Sequence, residues 1–430
     1  MVLPIPSSRE ALAKLQSERK VIAVENAKKA PFFEGKLDHI DMAKLDDPDE
    51  WRKIPLLEKD ELRAIPNDQF FEQFCIAPKS EISEFWRSGG STGKPLFYPR
   101  TFEDIEYAMM AFRRSYQMMA ANPDDTVHNS FPLGIHPAGH MWARAANAEK
   151  ISVNWAGSGT GTPSAIQLQL VGLMQPTIWM GMPGYGLHLA NLAETQGIDL
   201  AASPVRKILT SAEPLSAVKR EKLERTWDAK VFDSFGMTEC SLMGCESAHH
   251  DGQVLWTDIA HIEVLDEETH EPLGEGEQGM LVVTTLYTNN ATPFLRWSSG
   301  DIVSWHWPEE TDDPFSVFPI VRHAHRTAGF FKVRGVNINH AEFEDLMLAL
   351  PEVAEFKCEA VNDGGADLMR LTIELTQGAE ADATSAMVSE RVKTTFEVTP
   401  EIALPERGTL GAEYEKMIKT NRFYDRRSES

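Results

Sequence analysis

Cysteine is scarce and scattered. Cys75, Cys240, Cys245 and Cys358 are the whole complement of 430 residues, which excludes a disulfide-built scaffold and points to a reducing compartment, the cytoplasm. Basic residues are outnumbered: 42 Lys and Arg stand against 65 Asp and Glu, a formal net charge of −23. Most of such a surface repels a phosphate backbone, so no nucleic-acid partner is expected, and an anionic small ligand would need positive charge concentrated locally. No stretch reaches the ~18 uninterrupted apolar residues of a spanning helix. The most apolar one, Leu168 to Met182, is broken by Gln, Gly and Pro. The opening residues show no basic segment followed by an apolar core, so neither a membrane partner nor a secretory signal is expected. Internal repeats and low-complexity tracts are also missing.

What remains is a globular composition, with 42% hydrophobic and 25% charged residues. A single core rarely grows past about 250–300 residues, so the length calls for at least two domains. Apolar residues recur at helical spacing over Arg9 to Val24. Thr101 followed by Asp104 opens a helix to Ala120, and Lys230 to Asp233 reads as a strand. Alternating helices and short β-branched runs from Phe85 to about Val264 predict a layered α/β domain. Met280 to Tyr287 and Asp301 to Trp305 read as strands with no helix between them, a β-rich subdomain. Beyond Arg326 the pattern becomes strand (Phe330 to Val333), helix (His340 to Leu350), two strands (Glu355 to Val361, Leu368 to Leu375), helix (Ala383 to Phe396) and a basic tail. The expected division is therefore a large domain over 1–325 and a small α+β domain over 326–430.

Four segments carry side chains suited to chemistry. Ser88-Gly-Gly-Ser-Thr-Gly-Lys-Pro95 can wrap a phosphate chain with backbone N–H groups and one ammonium, or it is a plain Gly/Ser hairpin turn. It is not a Walker loop, because Pro95 turns Lys94 away from helical dihedrals and an extended Leu-Phe-Tyr-Pro follows. Phe232-Asp-Ser-Phe-Gly-Met-Thr-Glu239 sets an aromatic, a glycine, a hydroxyl and a carboxylate in the few residues after a strand, where α/β proteins hold ligands. A turn with a core phenylalanine is the other reading. Leu295-Arg-Trp-Ser-Ser-Gly-Asp301 ends a strand on an Asp suited to two ribose hydroxyls. The tail from Tyr414 to Arg427 gathers Lys416, Lys419, Arg422, Arg426 and Arg427, a local reversal of sign that a solvated terminal helix also explains.

Other patterns are set aside. Gly274-Glu-Gly-Glu-Gln-Gly279 matches a dinucleotide fingerprint in letters, but a strand follows it and two glutamates would face the pyrophosphate; it is read as a turn. Gly157-Ser-Gly-Thr-Gly161 lacks the spacing of a nucleophile elbow. Cys240, Cys245 and His249 have a spacing that zinc accepts, with no further Cys close by to complete the set.

The order of these segments is more specific than any one of them. The Gly/Ser loop, Ala212-Glu-Pro214, Phe-Gly-Met-Thr-Glu, Trp-Ser-Ser-Gly-Asp, Arg326, Lys332-Val-Arg-Gly335 and the Lys/Arg tail together resemble the phenylacetate–CoA ligase family of adenylate-forming enzymes. The resemblance spans nearly the whole chain. It includes Ile54 to Arg63, Ala156 to Thr160, and Gln175-Pro-Thr177 followed by Met182 to Tyr185. It implies a large α/β domain with a β-rich subdomain and a small, mobile α+β C-terminal domain.

The activity so implied is attack of a carboxylate on the α-phosphorus of ATP with loss of pyrophosphate, then transfer of the acyl group from AMP to CoA. By the same resemblance Ser88, Ser91, Thr92 and Lys94 hold phosphate, and Ala212, Glu213 and Pro214 line the adenine with Phe235 and Gly236. Thr238 contacts phosphate, Glu239 binds Mg2+, Asp301 and Arg326 hold the ribose, and Lys419 is the adenylation lysine, with Lys416 as alternative. Lys332, Arg334 and Gly335 meet CoA. Phe131, His136, Trp155, Ala156 and Gly157 shape the pocket of a small carboxylic acid, aromatic and phenylacetate- or benzoate-like, or a small hydroxylated or branched aliphatic acid. A carrier-protein thiol or an amine is the alternative acceptor, a non-catalytic nucleotide-binding regulator is the reading from another class, and a homodimer is a further expectation.

Three departures from the family pattern stand out. Gly89 replaces a hydroxyl of the phosphate loop, and Ala328 stands where the family commonly carries an acid after the hinge arginine. No Cys-Pro-Cys completes a zinc set.

Overall fold

The computed structural model describes residues 3–88, 96–326, 330–333, 336–363, 366–417 and 419–427. Contacts divide the chain into two compact units, each assembled from separate stretches. The first comprises Met1–Asp124, Leu133–Ser152 and Phe232–Thr327; the second Asp125–Pro132, Val153–Val231 and Ala328–Ser430.

In the first unit the helix Arg9–Ala27 begins at Ser8, whose side chain accepts from the Ala11 N–H. The helix Phe102–Met118 starts where the Thr101/Asp104 spacing predicts. Thr101 Oγ1 accepts from Asp104 N at 3.0 Å and Asp104 Oδ2 accepts from Thr101 N at 2.9 Å, a reciprocal cap that satisfies two otherwise orphaned donors. The same buried carboxylate also accepts from the N–H groups of Asn290 and Ala291, tying the helix start to a distant loop. The sheet is antiparallel, in the order Ala260–Leu265, Gly279–Thr285, Trp297–His306, Ile320–Arg326, Gln253–Leu255, Ser241–Glu246 and Lys230–Met237. One core cluster joins the N-terminal segments, through Val24, Phe33, Trp51 and Phe74, to Val283, Phe294, Trp297 and Val303 of this sheet. The expected turn over 274–279 is found, with Gly276 at φ +82.

The second unit has a parallel sheet of Thr126–Asn129, Ile178–Gly181 and Lys207–Ser211, with helices Ser164–Met174, Pro183–Thr195 and Ala217–Trp227. Its C-terminal part is a four-stranded sheet ordered Glu401–Ala403, Ala366–Leu375, Val353–Asp363 and Phe423–Asp425, with helices His340–Leu348 and Ala381–Phe396. Phe343, Phe356, Phe396 and Phe423 pack as its aromatic centre. The expected α/β fold is thus borne out. Among the described residues no helix is long and apolar enough to cross a membrane.

In the first unit the buried guanidinium of Arg114 meets Asp258 in a fork of two hydrogen bonds, 2.8 and 2.7 Å. Removing one partner leaves the other charge buried alone, so Asp258→Ala is expected to cost about 3–5 kcal/mol. Combining Arg114→Met with Asp258→Leu should recover most of that loss, and thermal unfolding of the three proteins checks it.

Candidate functional site

Within the first unit, Ser88 closes the hairpin of Ile82–Arg87 and Phe97–Thr101. Its N–H donates to the Leu96 carbonyl at 2.9 Å and its hydroxyl accepts from Leu96 N at 3.0 Å. The sequence reading that a strand follows the Gly/Ser loop is correct. Ser91, Thr92 and Lys94 lie outside the described residues.

The motif 232–239 differs from its expected form. The strand runs on through Met237 and pairs antiparallel with Ser241–Glu246, so Phe235 and Gly236 sit on a strand and only Thr238 and Glu239 on the turn. Gly236 allows this, because a Cβ there would lie 2.6 Å from the Ser241 carbonyl and 2.7 Å from Leu242 Cα. The turn is fixed from below by Arg100, fully buried, which donates to the carbonyls of Thr238 at 2.7 Å and Glu239 at 2.6 Å and also to Thr292 Oγ1. The Glu239 carboxylate is buried; it accepts from the Tyr98 hydroxyl at 3.2 Å and meets Lys59 Nζ at 3.4 Å. Burial, then the Glu239 charge, drive the Tyr98 phenol well above its ordinary range, so it stays protonated and donates. Asp301, also buried, lies against His323 Nε2 at 3.1 Å, and the His323 ring is in tilted contact with Phe235. Arg326 pairs opposite Asp301 in strand register.

The possible zinc set is not formed. Cys240 and Cys245 are buried and burial raises both thiols, disfavouring the thiolate that zinc requires, while His249 is exposed on a turn. Among the described residues no group of three or more His, Cys, Asp or Glu could hold a metal ion.

Within the second unit, Ala212 follows the strand Lys207–Ser211 in the left-handed region, φ +71, a conformation that costs a residue with a Cβ about 1 kcal/mol or more and is characteristic of ligand-binding turns. The strained peptide turns the Ala212 carbonyl toward the chain end, where Lys419 Nζ donates to it at 2.8 Å. Glu213 accepts from Gly184 N at 3.0 Å, at the start of the helix Pro183–Thr195, and the Pro214 carbonyl accepts from Lys219 Nζ at 3.2 Å.

Of the residues expected to shape the acid pocket, Phe131, Trp155, Ala156 and Gly157 belong to this unit, and His136 stands at the N-cap position of the helix Pro137–Ala148 of the first unit, with no side-chain capping bond. Phe131 is buried, Trp155 is 43% exposed, and Gly157 N donates to the Asn129 carbonyl at 2.9 Å. A buried polar network lies behind them. Gln167 donates to the Gly157 and Thr162 carbonyls, and its Oε1 meets Ser130 Oγ at 2.7 Å and His128 Nε2 at 3.2 Å. The Asn154 amide donates to His128 Nδ1, which assigns the proton to Nε2. Burial, against a small opposing effect of Gln167, lowers His128 to about 4; the ring is neutral at pH 7. Lys332 is exposed on the strand Phe330–Val333, and Arg334 and Gly335 lie outside the described residues.

Sequence reasoning missed Tyr98, Arg100, His128, Gln167 and Glu415. Glu415 stands four residues before Lys419, and its carboxylate accepts from Ser164 N at 2.7 Å, from Ser164 Oγ, and from His188 Nε2 at 3.1 Å. Only the spacing from Lys419 hinted at it.

The family model described as AMP-binding enzyme matches residues 16–288, more than half of the chain, and the protein belongs to that family. It is 27% identical to the phenylacetate-coenzyme A ligase of Thermus thermophilus over 400 residues, 89% of this chain and 86% of that one. It is 26% identical to the phenylacetate-coenzyme A ligase of Aromatoleum evansii, over 98% of this chain and 96% of that one. Among solved structures, a 2-hydroxyisobutyryl-CoA ligase in the postadenylation state, in complex with R3-HIB-AMP, aligns with TM-score 0.82 at 21% identity, over 99% of this chain and 94% of that one. The expected membership of the adenylate-forming superfamily is borne out.

Burial alone would raise the Glu415 carboxyl, but hydrogen bonds from His188 and from both donors of Ser164 bring it down to about 2. A carboxyl depressed in the folded state stabilises it above the ordinary value of 4.5, and the contribution fades as pH falls from there toward 2. The difference in thermal midpoint between wild type and Glu415→Gln is therefore expected to shrink as pH falls from about 4.5 toward 2, as paired melts at each pH will read.

Proposed function

We propose that the protein is an ATP-dependent acid–CoA ligase that activates a small carboxylic acid as its acyl-adenylate and transfers the acyl group to CoA, releasing AMP and pyrophosphate. The observation that carries the reading is the 2.8 Å hydrogen bond from Lys419 to the Ala212 carbonyl. It joins, within one unit, the motif assigned to adenine and the motif assigned to adenylation, more than two hundred residues apart in sequence.

In this reading Ala212, Glu213 and Pro214 receive the adenine together with Phe235 and Gly236, and Asp301 takes the ribose hydroxyls with Arg326. Ser88, Ser91, Thr92, Lys94 and Thr238 take the phosphates. The acid carboxylate and the α-phosphate are both anions, so Lys419 supplies the positive charge that lets them meet and stabilises the charge developing on the phosphate. Glu239 fits a Mg2+ ligand: it is a buried hard carboxylate oriented by Tyr98, with Lys59 as its cationic neighbour. When bound, the ion would neutralise phosphate oxygens. Residues 326–430 act as the mobile domain, presenting Lys419 in the first half-reaction and the 332–335 strand to CoA in the second.

For the acid, the extended similarity to phenylacetate–CoA ligases favours an aromatic substrate, with Phe131 and Trp155 as its apolar contacts. The four free thiols accord with a cytoplasmic enzyme.

Incubation with ATP, Mg2+, CoA and a panel of arylacetic, benzoic and short hydroxylated or branched aliphatic acids is expected to release AMP with at least one arylacetic acid. No AMP with any acid overturns the reading, and AMP with aliphatic acids alone reassigns the pocket. Lys419→Ala is expected to lower acid-dependent ATP–pyrophosphate exchange by roughly 10²–10³-fold while ATP binding persists.

A further inference from the structure

The C-terminal segment is fastened at a second point that the reaction as described does not use. The helix Thr409–Tyr414 delivers Glu415 to the start of one helix of the same unit and to the side of another. Ser164, first residue of the helix Ser164–Met174, gives the carboxylate both its N–H, at 2.7 Å, and its hydroxyl. His188, on the helix Pro183–Thr195, reaches it at 3.1 Å. Tyr185 lies three residues before His188, on the same helix face, and its hydroxyl is 2.8 Å from Ser164 Oγ. The fit is close, since a Cβ at Gly159 would lie 3.2 Å from the Glu415 carboxyl carbon.

The second hold follows at once. Lys419 bonds the Ala212 carbonyl, and a Cβ on Gly184 would lie 3.4 Å from Thr420 Cβ. Glu415 therefore meets the 157–164 segment, which carries part of the expected acid pocket, and Lys419 meets the 212–214 turn.

An exposed ion pair would contribute little. This carboxylate instead takes three charge-assisted hydrogen bonds, one of them from a backbone N–H at a helix N-terminus. Those partners all lie within 153–231, outside the C-terminal part that carries Lys419, so the bonds fix the end of the last helix there, in addition to the contacts of Lys219 with Glu344, Ser216 with Asp345 and Arg407 with Glu194. Lys419 has a long flexible stem and no directional group of its own, and its position follows from the backbone that bears it.

We infer that Glu415 is a positioning residue for the adenylation half-reaction. Its carboxylate clamps the end of the last helix onto Ser164 and His188, which places Lys419 at the nucleotide turn, and the clamp is released before CoA attacks. The inference rests on the assignment of Lys419 as the adenylation lysine. A purely structural role would instead weaken both half-reactions together.

The test uses the full-length protein as wild type, Glu415→Ala, Glu415→Gln, His188→Gln and Lys419→Ala, with phenylacetate as the acid. Phenylacetate-dependent ATP–pyrophosphate exchange reports the first half-reaction. Single-turnover attack of CoA on synthetic phenylacetyl-adenylate reports the second. Hydrogen exchange of the peptide containing the Ser164 amide reports the clamp without turnover.

Glu415→Ala is expected to lower the kcat of exchange about 10–100-fold, with KM for ATP within about threefold. The CoA step stays within about twofold or becomes faster, and the Ser164 amide loses protection. Glu415→Gln and His188→Gln should fall between wild type and Glu415→Ala. An equal loss in both half-reactions, exchange within twofold of wild type, or unchanged protection at Ser164 overturns the inference. If Glu415→Ala is unaffected while Lys419→Ala is inactive in exchange, the clamp alone fails. If Lys419→Ala exchanges like wild type, the functional assignment fails, and the clamp with it.

Discussion

Arg422 is the fixed point on which the C-terminal arrangement depends. Its guanidinium is almost wholly buried and is shared between Glu355, through two bonds of 2.7 and 2.9 Å, and Glu344 at 2.8 Å. Glu344 in turn holds Lys219 of the helix Ala217–Trp227 at 2.8 Å. Burial opposes every charge in this chain. For Glu344 the two cations outweigh it, so its carboxyl lies below the ordinary range, and for Arg422 the two carboxylates keep the guanidinium firmly charged. Each charge is tolerable only because the others are present, which makes the network all-or-none. Two parts of the second unit distant in sequence meet in it, and the Arg422 carbonyl accepts from Cys358 N at 2.7 Å where the strand Phe423–Asp425 enters the sheet.

The first unit solves an analogous problem around its turn at Thr238 and Glu239. That turn, between two paired strands, is held in one shape by buried side chains. Arg100, bonded to both turn carbonyls, provides this from within the core, and Tyr98 orients the carboxylate above it. The surplus of acid over base, −23, therefore says little about ligand charge. Arg100, Arg114, Arg296 and Arg422 are spent inside the protein, and the electrostatics of an anionic ligand are set by a few residues at short range.

How much of this was legible in the sequence follows from the range of each interaction. The reciprocal cap of Thr101 and Asp104, the strand after the Gly/Ser loop and the 274–279 turn are decided within a few residues, and each is found where the pattern put it. Cys240, Cys245 and His249 fail as a set for an equally local reason that spacing alone hides. Cys240 stands on the turn and Cys245 on the strand Ser241–Glu246 that follows it, with Ser241 between them at φ +69, and the histidine falls on an exposed turn beyond the strand. The extension of strand Lys230–Met237 through Phe235 and Gly236 required knowing that Leu242 backbone would come within reach of Gly236. Tyr98 and Arg100 act on partners brought near only by the tertiary fold, as do Ser130 and His128 on Gln167, so no short window of sequence contains both ends of those bonds.

Lys419 shows why long-range contacts of this kind matter for chemistry. An arginine fork fixes its own geometry against a carboxylate or phosphate, whereas an ammonium on four methylenes is a point charge that goes where its backbone and its best acceptor take it. Arg422 is anchored three residues after Lys419, Glu415 is bonded four residues before it, and the Ala212 carbonyl supplies the acceptor for its ammonium. The two anchors differ in kind. Arg422 is bonded to Glu355 and Glu344 of its own C-terminal sheet and helix, with Lys219 of the helix Ala217–Trp227 on the far side of Glu344. Glu415 reaches out to Ser164 and His188, so its bonds must break if the C-terminal part moves.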